Sequence, residues 1–212
     1  MTVGELARLF NSQFVPQQAG RPAQLSVIPM SGWRRDLYLD ETDLVWVPPS
    51  PNMPDITTAL AYPGTCLFEG TTLSVGRGTA SPFLTLGAPD LDATRWVDSL
   101  NDAALPGCMF REDWFTPTAD VAKGQLCHGL QLAITDRKSF DPLLTGVTLL
   151  QSVLKISDRP IWRKSGATFD ILAGSNTLRQ QLSRNLSVTE IMASWKPDEA
   201  AFTRQRRPFL LY

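Results

Sequence analysis

Apolar positions fall at helical spacing in several stretches, and polar residues at their starts supply the caps. Leu6, Leu9, Phe10 and Phe14 follow Thr2-Val3-Gly4-Glu5, a sequence with the form of a capping box. Asp92 precedes a second periodic run, Ala93, Trp96, Val97, Leu100 and Ala104, which Leu105-Pro106-Gly107 ends. Asp141-Pro142 opens a third helix, whose apolar stripe is Phe140, Leu143, Leu144, Val147, Leu150 and Leu154. A short helix is predicted around Leu178 to Leu186. Ser187-Val188-Thr189-Glu190 forms another capping box leading to Ile191 and Trp195, and Pro197 is expected to break or restart that helix. Strand patterns are fewer: Leu25 to Met30, residues 107–116, and residues 125–135, where Leu126, His128, Leu130, Leu132 and Ile134 alternate with the other face.

This pattern predicts an α/β chain of the mixed α+β kind. Its first sixty residues hold one helix, one strand and a long loop, too few elements to cover both faces of a parallel sheet, so they read as the tail of an α/β domain. The loop carries Ser31-Gly32-Trp33-Arg34-Arg35 directly after the strand, where open α/β sheets bind ligands. Trp33 there either covers a sheet edge or offers a ring to a ligand. The strap Trp46 to Pro54 is rich in proline, which fixes an extended path and orients Asn52.

Composition removes several classes of function. The chain has 212 residues, a formal net charge of −1 and no clustering of Lys and Arg, so no footprint for nucleic acid or an anionic membrane is present. No apolar run reaches membrane-span length, and MTVGELARLF has neither the basic start nor the apolar core of a signal peptide. Cys66, Cys108 and Cys127 lack metal-site spacing and read as buried thiols. His128 is the only histidine, which rules out a multi-histidine metal cluster, and it reads as a strand residue near a face edge. No metal or organic cofactor is called for.

Candidate chemistry concentrates in YPGTCLFEGTTLSVGRGTASPF, residues 62–83. Its glycines, Gly64, Gly70, Gly76 and Gly78, let a ligand approach the backbone, and its threonines and serines suit sugar hydroxyls or an acetamido group. It is not a phosphate loop, since no G-x-x-x-x-G-K-[ST] order occurs. Arg77 between two glycines is set to clamp a carboxylate, and Glu69 is the one acid in a catalytic setting. The same two residues would equally pair with each other and rivet the loop.

The order SPNMP, TALAYPGTCLFEGTTLSVGRGTASPFLTLGAP, LPGCMFR, CHGLQLAITDR and RRPFLLY resembles the exo-β-N-acetylmuramidase family over essentially the whole chain. The resemblance implies hydrolysis of terminal N-acetylmuramic acid from the non-reducing end of peptidoglycan fragments. It further implies a Rossmann-like N-terminal domain and a smaller C-terminal domain with the active-site cleft between them. On this reading residues 1–60 are the last helix-strand unit of the Rossmann-like domain and residues 61–212 the C-terminal α+β domain. The rest of the N-terminal domain, with the main catalytic glutamates, would be an intramolecular partner lying before residue 1. Val75 stands where the family carries an acid. Within this chain Glu69 is then an acid or orienting group, Arg77 binds the lactyl carboxylate, Asn52, Thr71 and Thr79 contact hydroxyl or acetamido groups, and Trp33 stacks on the sugar. The other reading is a non-catalytic module that binds a muramyl sugar or a protein.

Overall fold

A computed structural model describes residues 1–212. The chain divides into two compact units, residues 1–45 with 193–212, and residues 46–192.

The first unit is built on α1 (Val3–Gln13) and a short α2 (Val15–Ala19). The expected capping box forms, with the Thr2 hydroxyl accepting from the Glu5 amide and Glu5 accepting from the Thr2 amide. Glu5 does more than cap. Its side chain is fully buried and also accepts from Arg35 Nη2 (2.7 Å) and from the Leu211 amide (2.9 Å). Three chain segments therefore meet on one carboxylate. Burial would raise its pKa, but the Arg35, Leu211 and Thr2 hydrogen bonds prevail and bring it down to about 2. The terminal Tyr212 closes the same unit: its hydroxyl accepts from the Met30 amide (2.6 Å) and its ring packs on Trp33 at 4.7 Å.

The second unit has a three-stranded antiparallel sheet in the order β1-β3-β2, with β1 Thr85–Ala88, β2 Cys108–Phe115 and β3 Cys127–Ile134. Helix α4 (Ala93–Asp102) packs on β2 and β3, and α3 (Ile56–Thr65) packs on α5 (Pro142–Ile156). The core holds Phe68, Phe83, Leu86, Trp96, Leu130 and Leu149, all fully or almost fully buried. Trp96 is anchored within it by donating from Nε1 to Ser152 Oγ (2.8 Å). Two further helices follow, α6 (Ala167–Leu172) and α7 (Thr177–Ser183), and then α8 (Val188–Arg206), which begins in this unit and from Ala193 onward belongs to the first.

Several expectations need correction. Residues 25–30 form no strand: Leu25, Ile28 and Met30 are exposed, and an alternating pattern without a neighbouring strand has nothing to pair with. Pro197 does not interrupt α8, because the bond it removes would end on the carbonyl of Ala193, which is exposed to water. The α5 stripe is rotated. Leu149 and Val153 are buried while Leu143 is 40% exposed, since this helix is covered by both α3 and α4. Cys127 is buried as expected, but Cys66 and Cys108 are half-exposed. Residues 62–65 belong to α3 rather than to a loop, and a 3-10 turn, Cys66–Gly70, follows. The glycines there serve protein packing rather than a ligand. A Cβ on Gly64 would sit 1.8 Å from the Pro142 carbonyl oxygen, so the α3–α5 crossing demands glycine.

Candidate functional site

Arg77 occupies a turn between Gly76 and Gly78, whose φ values of 69° and 77° lie in the left-handed region. Thr79 fixes that turn by donating from Oγ1 to the Gly76 carbonyl (2.7 Å) and accepting from the Ser81 amide (3.2 Å). The guanidinium lies 5.2 Å from the ring centre of Phe83, which Tyr62 meets edge-on at 4.8 Å. An aromatic floor thus sets the height of the charge.

Two carboxylates and a second arginine surround it. Arg77 Nη2 donates to Glu69 Oε1, and Arg77 Nε lies 3.7 Å from Asp120 Oδ2. Asp120 Oδ1 is in turn 3.8 Å from Arg163 Nη1, which donates to the Glu69 backbone carbonyl (3.3 Å). Glu69, Arg77, Asp120 and Arg163 form a closed quartet of two acids and two bases, each with a side chain 20–38% exposed. Backbone ties explain how distant segments reach it. Thr118 Oγ1 donates to the Gly78 carbonyl and the Ala119 amide to the Arg77 carbonyl, fastening the 117–125 segment to the turn. The Thr72 amide donates to the Ile161 carbonyl (2.7 Å) and Thr71 bridges Trp162, which delivers Arg163. Asp120 and Lys164 take positive φ without being glycine, so the backbone is strained on both segments.

The structure sorts the expected residues. Glu69 and Arg77 are together, as the riveting alternative required. Thr79 adjoins them but spends its hydroxyl on the turn. Thr71 is not available to a ligand: it is fully buried, donates to the Phe68 carbonyl (2.7 Å) and accepts from the Leu73 amide. Asn52 is half-buried in the proline strap, where its amide donates to Ser50 Oγ, and it is no part of the quartet. Trp33 belongs to the first unit and is engaged there by Tyr212 and, at 5.4 Å, by the Arg35 guanidinium. Val75 is core. Asp120 and Arg163 were not foreseen, since neither has a local motif to mark it.

Other nucleophiles are poorly placed. Burial raises the pKa of all three thiols, with the Glu69 charge adding to it at Cys66, so none is an activated thiolate. His128 lies on β3 with its Nε2 2.9 Å from Glu112 Oε2, a carboxylate rather than a nucleophile. No group of three His, Cys, Asp or Glu side chains is placed to hold a metal ion, and no helix is long and apolar enough to cross a membrane.

This arrangement of helices around a small antiparallel sheet recurs in solved structures. A DUF1343 family protein from Bacteroides fragilis NCTC 9343 matches 99% of this chain, over 55% of its own length, with TM-score 0.87 and 27% identity. A second DUF1343 family protein from the same organism matches all of the chain over 55% of its own length, with TM-score 0.73 and 31% identity. The fold is therefore that of the DUF1343 proteins. Residues 60–212 match the family described as Exo-beta-N-acetylmuramidase NamZ, C-terminal, and residues 1–57 match its N-terminal counterpart. The chain belongs to the exo-β-N-acetylmuramidase family. It is 39% identical over all 212 residues to the peptidoglycan beta-N-acetylmuramidase NamZ of Bacillus subtilis (strain 168), and spans 50% of that relative's length.

Proposed function

We propose that this chain forms part of a glycoside hydrolase that releases terminal N-acetylmuramic acid from the non-reducing end of peptidoglycan fragments. The observation that carries the reading is the match to the muramidase family from one end of the chain to the other. Residues 1–60 belong on this reading to the N-terminal domain and residues 61–212 to the C-terminal domain, in keeping with family matches that meet between residues 57 and 60. The chain contributes one wall of the substrate site.

Muramic acid differs from glucosamine by a lactyl ether that ends in a carboxylate. A guanidinium held on an aromatic floor, with a second arginine beside it, suits that group through a charge-assisted, two-pronged hydrogen bond. Arg77 is the clamp. Glu69 orients it rather than transferring a proton, because its Oε1 is committed to Arg77. Glycoside hydrolysis uses two carboxyl groups about 5 to 9.5 Å apart across the scissile bond. The Glu69 carboxylate is bonded to Arg77 and that of Asp120 faces two arginines, in keeping with a reacting pair carried by the N-terminal domain, as the family resemblance implies.

The test compares two disaccharides, one ending in N-acetylmuramic acid and one in N-acetylglucosamine, as ligands for the protein and its Arg77→Ala variant. Loss of one charged hydrogen bond predicts about 10- to 100-fold weaker binding of the muramyl ligand, with little change for the other. Equal loss for both ligands removes Arg77 from this role.

A further inference from the structure

A second set of groups lies on the sheet outside the quartet. Trp114 on β2 is 60% exposed, yet its ring is not loose. It lies flat on His128, with ring centres 4.0 Å apart and planes 8° from parallel. His128 is itself held by Glu112 at 2.9 Å, and the same carboxylate is hydrogen-bonded by Thr94 of α4. One indole face is thus braced from behind and the other is presented to solvent. Holding a large apolar ring in that posture removes rotamer freedom that an exposed side chain would otherwise keep.

A groove opens along the same row of the sheet. Ala88 of β1 stands opposite His128, and His128 opposite Trp114, so the three make one row across the sheet. Directly paired residues project from the same face, which puts Trp114 two strand spacings, roughly 10 Å, from Ala88. Ala88 also begins the wall of a groove of about 650 Å³ that includes Thr72, Asp90, Gln125, Ser157 and Arg159. That volume lies in the range of small-ligand sites.

The chemistry of groove and platform selects among ligands. Arg159 pairs with Asp90, and Asp158 adds a further negative charge to the lining, so no cation is left over to attract a phosphate or an acidic peptide. Amide and hydroxyl groups remain beside a flat apolar face. Such a surface suits a pyranose chain, whose hydroxyl and acetamido edges seek hydrogen bonds and whose C–H face seeks an aromatic ring.

We propose that the groove and Trp114 form a second saccharide site, which holds an uncharged N-acetylglucosamine unit of the glycan. It rests on the reading above only for the class of ligand; its residues are different. An enzyme working from a chain end gains from such a site because the sugars beyond the terminal one are held without any demand on the quartet.

The probe is chitotetraose, an uncharged N-acetylglucosamine tetramer without lactyl groups, titrated into the protein by calorimetry and by NMR of the indole N–H signals. Saturable binding is expected, with about tenfold loss in Trp114→Ala, partial retention in Trp114→Phe and several-fold loss in Gln125→Ala. The Trp114 indole signal, assigned by its loss in Trp114→Phe, should shift on titration. Unchanged melting temperatures of the variants show that binding, not folding, was removed. Absence of saturable binding at millimolar tetramer, equal binding by Trp114→Ala, or an unmoved Trp114 signal overturns the proposal. Arg77→Ala should bind the tetramer as the parent does, so failure of the lactyl clamp and failure of this site are read separately.

Discussion

The chain contains two Glu–Arg pairs of the same chemistry in opposite settings. Glu5 is wholly buried, and Arg35, the backbone amide of distant Leu211 and its own capping amide share the work of pairing it. Glu69 and Arg77 keep 20% and 26% of their side chains in solvent, and Arg77 faces Asp120 across 3.7 Å, which in turn faces Arg163 across 3.8 Å. A charge taken fully from water must have all its partners in place, and losing one is costly. A charge left partly in water tolerates exchange of partners. The first pair holds chain segments together, and on the proposed reading the second trades a protein carboxylate for one on a ligand.

Replacing each acid separates the two cases. Glu5→Gln leaves Arg35 without its counter-ion and weakens the acceptor for the Leu211 amide, so a loss of about 3 kcal/mol in unfolding free energy is expected by denaturant titration. Glu69→Gln should lose no more than about 1 kcal/mol, the range of partly solvated pairs. Similar losses at both positions would erase the distinction. Acid sharpens it. The Glu5 pKa falls from 4.5 to about 2 on folding, so its contribution is complete above pH 4.5 and disappears as pH drops through 2. The stability gap between parent and Glu5→Gln should therefore narrow over that interval. Following the gap rather than the parent alone removes the acid response of Asp136, Asp170 and Glu190, whose pKa values are also lowered by hydrogen bonds.

The local half of this comparison was legible in the sequence and the tertiary half was not. Thr2-Val3-Gly4-Glu5 announced the helix cap, and Asp92, Asp141 and Ser187 announced three others that the structure contains. Nothing near Glu5 announces Arg35 or Leu211, because those contacts depend on how the chain closes rather than on helical period. Strands β2 and β3 were readable from alternation, whereas β1, Thr85–Ala88, is too short to show a period and exists because β3 is there to pair with it. At the candidate site, Glu69 and Arg77 stood out by composition. Asp120 and Arg163 arrive through backbone ties to Gly78 and Thr72, and the strained positions themselves, Asp120 and Lys164, are not glycines that would mark them.

Asp120 gives the smallest effect and the most direct probe of partner exchange. Its carboxylate faces both arginines at ion-pair distance without a hydrogen bond to either, and it is 35% exposed. Asp120→Asn should change stability by less than about 0.5 kcal/mol. It also removes a negative charge from the place a lactyl carboxylate would take between Arg77 and Arg163. Binding of the muramyl disaccharide should then tighten by about two- to fivefold at low ionic strength, and the gain should shrink as salt screens the same charges. The N-acetylglucosamine disaccharide, which has no carboxylate, should show neither the gain nor its salt dependence. Weaker muramyl binding in Asp120→Asn would mean that Asp120 orients the arginines instead of standing in for the ligand, and the second pair would then be a fixed rivet like the first.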